Sequence, residues 1–158
     1  MRFNYNPLMI YRALQAAENR TDFPSASDRE QWNKISEKLG KRKTNDMLEK
    51  AETALRTPFP HLSASLYLEC ERTGRREGYQ EPFFQRRNLL GDLVLGECIE
   101  GKGRFLDAIL DAAWGICEES SWVMPAHHYA LPDMCEAQID LGVAMTGLYL
   151  AEAYGLLH

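Results

Sequence analysis

The stretch PFFQRRNLLGDLVLGECIE, residues 82–100, decides the fold class of this chain. Pro82 suits the first turn of a helix, where a backbone amide has no intrahelical partner to lose. The apolar side chains that follow recur at helical spacing. They are Phe83, Leu90, Val94 and Cys98, with Leu89 and Leu93 beside them. The pattern predicts a long helix that begins near Pro82 and ends near Glu100.

Helical patterns also fill most of the chain on either side of this stretch, whereas alternating strand patterns are nearly absent. A capping box at residues 27–30 starts one helix, and Gly40 ends it. The other predicted helices cover residues 8–18, 45–55, 61–72, 105–118 and 136–157. Short links between them favour successive antiparallel helices. We therefore predict one all-α domain over residues 1–158, built from antiparallel helical hairpins.

The last predicted helix is apolar on almost every face, so it needs cover on all sides. Its apolar residues include Ile139, Leu141, Val143, Met145, Leu148, Leu150, Tyr154 and Leu157. We expect either a longer parent protein or a second copy of the chain to provide that cover. The simplest such assembly is a symmetric dimer.

Charge and hydropathy exclude some partners. The net charge of −5 makes nucleic acid an unsuitable partner, because phosphate binding needs a concentrated basic face. The basic cluster at residues 38–43 is short and fits a solvated linker. The most apolar stretch, residues 141–151, is too short to span a bilayer, so no membrane partner is expected.

The 4 cysteines show none of the short paired spacings typical of metal sites. They are Cys70, Cys98, Cys117 and Cys135. Buried, reduced thiols are the better interpretation, and they suit a reducing compartment. With no signal peptide in view, we expect a cytoplasmic protein, or a secreted or periplasmic one if a leader has been removed. We expect no cofactor and no metal ion.

The segment WGICEESSWVMPAHH, residues 114–128, joins an acidic helix end to a Trp-x-x-Pro-Ala-His turn. It resembles the corresponding region of heparinase II/III-like proteins, and residues 104–110 and 139–141 fit the same region. The resemblance extends over about residues 83–157. It implies that the chain forms the N-terminal part of an incomplete (α/α) toroid, whose cleft binds an acidic polysaccharide or oligosaccharide. In that family a β-sandwich domain follows the toroid.

The resemblance also implies a lyase that cleaves uronic-acid-containing polysaccharide by β-elimination. This reaction needs a base beside the uronate carboxylate, neutralisation of that carboxylate and an acid at the leaving oxygen. The family supplies these groups from Asn, His and Tyr residues, none of which can be assigned to a position in this chain. The catalytic residues are therefore unknown, and we expect the chain alone to be inactive.

Five residues are candidates for substrate contact: Glu119, Trp122, His127, His128 and Tyr129. A histidine can act as a base or face a carboxylate as a cation, and an indole can stack on a sugar ring. Other roles remain open. The histidine pair could fill a turn, Trp122 could anchor the core, and Glu119 could be a solvated carboxylate.

Arg86 and Arg87 on the long helix could bind a sulfate or a carboxylate group, although a salt-bridged surface is the expected role.

Three functions are compatible with these patterns. The chain is part of a lyase, a non-catalytic carbohydrate-binding scaffold, or a helical protein-interaction module.

Overall fold

The structure, a computed structural model, describes residues 23–127, 131 and 138–158. This part of the chain is helical and contains no β-strand, which confirms the predicted all-α class. The helices are α1 (Arg29–Arg56), α2 (Ala64–Tyr67), α3 (Glu69–Thr73), α4 (Glu77–Glu100), α5 (Leu106–Cys117) and α6 (Leu141–Leu157), with a 3₁₀ turn at Pro125–His127. The predicted helix at residues 8–18 lies outside the described residues. None of the described helices is both long and apolar enough to cross a membrane.

The residue that caps helix α1 is Asp28, one residue after the Ser27 cap that the capping box predicts. The Asp28 side chain caps it by accepting from the Gln31 amide at 3.1 Å. Gly40 has a φ of 79° and a ψ of 154°, a conformation that favours glycine and interrupts the helix. The prediction of a break at Gly40 is therefore correct, although helical geometry resumes at once. The segments of α1 before and after Gly40 both pack against α4, because Trp32 and Ala51 belong to the same hydrophobic core as the buried residues of α4.

Helix α4 begins at Glu77, earlier than predicted, so that Pro82 lies inside it. A proline there removes one intrahelical hydrogen bond. Burial of Tyr79 and Phe83 on either side of Pro82 offsets that loss. The single helix predicted at residues 61–72 is instead split into α2 and α3 at Leu68.

Helix α4 is the centre of the fold, and α1, α5 and α6 all pack against it. Helix α5 runs antiparallel to α4, since Phe105 lies near Gly96 and Gly115 lies near Arg86. Helix α6 runs in the same direction as α4, since Thr146 contacts Arg87 and Tyr149 lies near Gly91. The main core between these helices is formed by Trp32, Ala51, Ala54, Leu89, Leu90, Leu93, Val94, Cys98, Phe105, Ile109, Ala112, Ile116 and Ala153. A smaller aromatic core beside the first half of α4 contains Tyr67, Tyr79, Phe83 and Met124.

Two polar side chains, the partly buried Arg29 and the buried Glu97, join the helix ends near Glu100. The Arg29 guanidinium donates to the carbonyl oxygens of Cys98 and Ile99, each at 2.7 Å. These carbonyls are among those that the last turn of a helix leaves without an intrahelical partner, and a cation is favourable there. The Glu97 carboxylate accepts from the Gly103 amide at 2.7 Å and thereby fixes the link to α5.

Helix α6 begins at Leu141 rather than near Glu136, because the Asp140 carboxylate caps it by accepting from the Val143 amide at 2.9 Å. The helix buries only Gly142, Thr146 and Ala153. Leu148 and Tyr154 are 57% and 67% exposed. One side of this apolar helix is therefore uncovered in the single chain.

Two glycines provide a matched test of how closely α4 packs. A Cβ at Gly96 would overlap with the Cβ of Ala51 and lie 3.2 Å from the Phe105 ring, so neither neighbour can move freely. We expect Gly96→Ala to lower the free energy of unfolding by about 1–3 kcal/mol, a range typical of overpacked cores. Denaturant unfolding followed by circular dichroism measures this change.

Gly147→Ala is the control. No atom lies within 4 Å of a Cβ built at Gly147, which sits inside α6. Alanine there should stabilise the chain by about 0.5–1 kcal/mol through helix propensity. Equal effects at the two positions would contradict the close approach of α1 and α4.

Candidate functional site

Arg86, Arg87 and Glu119 form a cluster of ionised side chains inside the protein. The Arg87 guanidinium donates to both Glu119 carboxylate oxygens, at 2.7 Å and 2.6 Å. Arg86 donates to Oε1 of the same carboxylate at 3.0 Å. The side chains are 11%, 2% and 4% exposed for Arg86, Arg87 and Glu119. This is a buried bidentate pair with a second cation attached, the geometry for which arginine is suited.

The remaining contacts of Arg87 connect α4 to α6. Its Nε donates to the Thr146 hydroxyl at 3.2 Å, and its Nη1 also donates to the Phe83 carbonyl oxygen. The guanidinium carbon lies 3.5 Å from the centroid of the Phe83 ring, a cation–π contact. Arg87 therefore joins α4, α6 and the loop that carries Glu119.

Arg86 holds a different part of the chain. Its Nε donates to the Pro60 carbonyl oxygen at 2.7 Å, and its Nη1 donates to the Gly115 carbonyl oxygen at 3.3 Å. The guanidinium carbon lies 4.6 Å from the centroid of the Phe59 ring. Arg86 thus fixes residues 59–60 against the end of α5.

The structure places the candidate residue Glu119 in this cluster, where arginines occupy both of its oxygens. Its carboxylate is therefore a positioning group rather than a solvated one. The two arginines are salt-bridged, as expected, but Arg87 is buried rather than on the surface. Sequence reasoning missed this pairing because the partners are 32 residues apart. The signal was a double arginine in a helix whose apolar residues on either side, Phe83 and Leu90, are predicted to lie in the core.

Trp122, the second candidate, is half-buried and packs against the main core. Its indole Nε1 donates to the Ile116 carbonyl oxygen at 2.9 Å. This bond satisfies one of the carbonyls that the end of α5 leaves without an intrahelical partner. These contacts give Trp122 an anchoring role for the loop after α5.

His127 is exposed, and its Nδ1 lies 2.6 Å from Oδ2 of Asp140. The same carboxylate accepts from the Met124 amide at 2.8 Å and caps α6 through Val143. Burial raises the pKa of the Asp140 carboxyl, but its hydrogen bonds with Met124, Val143 and His127 lower it by more, so the pKa lies below its ordinary value. The ionised carboxylate makes Nδ1 the donor, which leaves Nε2 for a ligand.

The other two candidates, His128 and Tyr129, lie outside the described residues. Among the described candidates, no hydrogen bond joins Glu119, Trp122 and His127 directly. Each is held by a different partner, and the loop backbone connects them. Asp140, which orients His127, was not singled out by sequence reasoning, although its position before an apolar helix is typical of a helix cap.

A pocket of about 410 Å³ with a mixed polar and apolar lining lies against this loop. Its lining includes Tyr67, Tyr79, Arg86, Glu118, Glu119 and Ser120. Burial raises the pKa of Tyr67 and of Tyr79 to about 12, and nearby negative charge acts in the same direction. Both phenols are therefore neutral hydrogen-bond donors at physiological pH. Neither tyrosine stood out in the sequence, because each is a single aromatic residue and such residues commonly belong to the core.

The thiols differ in exposure. Cys70 and Cys98 are buried, as expected, but Cys117 is exposed at the end of α5. Cys135 lies outside the described residues. Within residues 23–127 and 138–158, no group of three or more His, Cys, Asp or Glu side chains could hold a metal ion.

Comparison with protein-family models found no match, and no curated protein matches the chain. The functional interpretation therefore depends on the geometry of the loop and pocket.

The lowered pKa of Asp140 predicts acid sensitivity at this site. A group whose pKa is lower in the folded state contributes stability above its unfolded pKa, near 3.9 for Asp, and loses it as pH falls through the folded value. We expect the free energy of unfolding to fall more steeply between about pH 5 and pH 3 in the wild type than in Asp140→Asn.

Asp111→Asn is the control, since it removes a carboxylate from the exposed face of α5. Denaturant titrations at each pH compare the three proteins. If Asp140→Asn and the wild type lose stability in parallel, the hydrogen bonds to Asp140 are not formed in solution.

Proposed function

We propose that the chain is the N-terminal helical part of a heparinase II/III-like polysaccharide lyase. In this proposal the helical hairpins around α4 contribute to an (α/α) toroid. The loop after α5 contacts an acidic polysaccharide that contains uronic acid, which the complete enzyme cleaves by β-elimination. The chain itself supplies binding groups, and its catalytic residues remain unassigned.

The observation that carries this proposal is the orientation of His127 within the segment on which the resemblance rests. That segment forms a helix end, a loop anchored by Trp122, and a 3₁₀ turn whose Pro125 is buried. Asp140 accepts from Nδ1 of His127 and fixes the plane of the ring. An oriented, exposed imidazole can donate to a substrate carboxylate through Nε2.

The Arg86–Arg87–Glu119 cluster supports the same proposal by holding the loop rigid. A binding group gains affinity when its position is fixed before the ligand arrives, because less conformational entropy is lost. Trp122 ties the loop to α5, and Glu119 ties it to α4. His127 is therefore presented from a backbone that is fixed by buried contacts.

A binding measurement tests the proposal. We expect the chain to bind alginate hexasaccharide, in which every ring carries a carboxylate, in preference to neutral maltohexaose. Removing a hydrogen bond to a charged group by His127→Gln should weaken binding by about tenfold. No unsaturated uronate should appear in the ultraviolet absorbance, since the chain alone is expected to be inactive.

His158→Gln is the control, because His158 is an exposed imidazole after α6 and away from the loop. Isothermal titration calorimetry gives the dissociation constants. Equal affinity for the acidic and neutral sugars would contradict the proposed substrate class. An unchanged affinity in His127→Gln would remove His127 from the binding site.

The alternative function, a helical protein-interaction module, is favoured by the exposed apolar residues of α5 and α6. Leu110 and Trp114 lie one turn apart on the exposed side of α5, and Leu148 and Tyr154 are exposed on α6. Exposed apolar patches commonly mark protein interfaces. A second copy of the chain is the simplest partner for the α6 patch.

We expect the chain to form a dimer through α6. Light scattering over a dilution series should give a mass near twice 18.1 kDa. Leu148→Glu should shift this equilibrium towards monomer by about tenfold or more, because burying a carboxylate at an apolar interface costs free energy.

Leu110→Glu, on the exposed face of α5, is the matched control and should leave the dimer intact. A wild-type chain that stays monomeric and soluble at high concentration would contradict an interface on α6. Equal dissociation in both variants would place the interface elsewhere.

A further inference from the structure

We propose that an apolar groove between α1, α4 and α6 is the docking site for residues 8–18 of the same chain. The groove has a volume of about 620 Å³ and is formed by side chains from all three helices. The candidate site residues Glu119, Trp122 and His127 do not line it. The proposal therefore does not depend on the proposed function.

The walls of the groove are apolar and only partly covered. They include the half-buried side chains of Ile35 and Leu39 from α1, Leu95 from α4 and Leu156 from α6. Among the described residues of the lining, Glu152 alone carries a charge. Covering such walls with a second apolar surface is favourable, because both surfaces are then removed from water. The groove therefore fits an apolar occupant.

The chain that precedes the described residues leads directly to this groove. Phe23, the first described residue, is 58% exposed and lines the groove. The sequence predicts a helix at residues 8–18, and even a fully extended chain spans no more than about 18 Å between Glu18 and Phe23. A link this short holds a segment beside its site at an effective concentration on the order of millimolar. The predicted helix therefore has the shortest path to the groove.

The predicted helix also has the amphipathic pattern that an apolar groove requires. At helical spacing, Arg12, Gln15 and Glu18 lie on one side. The opposite side is apolar and consists of Met9, Ile10, Ala13, Leu14, Ala16 and Ala17. A helix this short is marginal in water unless its apolar side packs on a partner. The groove supplies that partner, in the way that hydrophobic grooves commonly bind amphipathic helices.

A second copy of the chain is the competing occupant, but its expected interface lies elsewhere on α6. The exposed patch through which we expect a dimer includes Leu148 and Tyr154, which do not line the groove. Helix α6 instead contributes Tyr149 and Leu156 to the groove. The expected dimer therefore does not account for the groove.

Hydrogen–deuterium exchange of the full chain, read by mass spectrometry, tests the proposal. We expect the amides of residues 8–18 to exchange at least about tenfold more slowly than in an unstructured chain. Ala151→Glu should raise their exchange rate by about tenfold, because a carboxylate in the apolar groove disfavours docking. Ala151 is exposed and lines the groove, so this substitution adds a charge at the site without burying it in the core.

Ala144→Glu is the matched control, since Ala144 is an exposed alanine of the same helix that does not line the groove. It lies one turn before Leu148, so it also reproduces any effect of weakening a dimer through α6. Leu14→Asp changes the segment, leaves the groove intact and should also speed exchange of residues 8–18. Gln15→Asp, on the polar side of the predicted helix, should not.

Exchange of residues 8–18 at the unstructured rate in the wild type would overturn the proposal. Unchanged protection in Ala151→Glu, or equal loss in Ala144→Glu, would place the segment outside the groove. Protection that disappears on dilution would show that the segment docks on a second copy instead. If circular dichroism shows that Ala151→Glu loses helicity, equal exchange in Leu14→Asp and Gln15→Asp would overturn the proposal. These measurements involve no sugar, so they leave the test of the proposed function separate.

Discussion

The bidentate bond between Arg87 and Glu119 is the interaction on which the arrangement of the loop and the helices around it depends. Both ions are almost fully buried, so each loses its hydration and must recover that free energy from its partner. The geometry that compensates one ion for its lost hydration therefore also fixes the position of the other ion. Because the carboxylate lies after α5 while the guanidinium lies on α4 and contacts Thr146 of α6, this one pair constrains three parts of the chain.

Several local features follow from that constraint. With Glu119 held against α4, the chain after α5 can return Trp122 to the end of that helix and bury Pro125. Asp140 then has two structural roles. It caps α6, and it binds the 3₁₀ turn that carries His127. The pocket lined by Tyr67, Tyr79 and Arg86 lies beside the same pair. The binding groups that we propose are thus presented by backbone that buried ionic contacts hold in place.

The sequence predicted those features whose cause is local. Apolar spacing gave the all-α class, Gly40 marked the break in α1, and α5 was placed within a residue or so. Other features depend on distant partners. Pro82 suggested a helix start, but burial of Tyr79 in the preceding turn allows α4 to begin earlier. The Asp140 cap moved the start of α6 from the position that periodicity alone suggested.

In the candidate site, too, the sequence predicted local features but not those that depend on distant partners. The segment of residues 114–128 identified the loop, but not what holds it. No local pattern pairs Glu119 with Arg87, because the pairing arises only when α5 folds back on α4. Tyr67 could not have been chosen from the sequence, since its lack of a hydrogen-bond partner among residues 23–127, 131 and 138–158 is a property of the folded structure. His128 and Tyr129 lie outside the described residues, so their proposed role remains a prediction.

A double-mutant cycle on Arg87 and Glu119 tests the central claim most directly. Each single variant, Arg87→Met or Glu119→Leu, leaves the other charge buried without its main partner and should destabilise the fold by about 3–5 kcal/mol. The double variant removes both charges and should recover much of that loss, giving a coupling energy above about 1.5 kcal/mol in denaturant unfolding. Additive effects, within about 0.5 kcal/mol, would show that the two residues do not depend on each other and would contradict the claim.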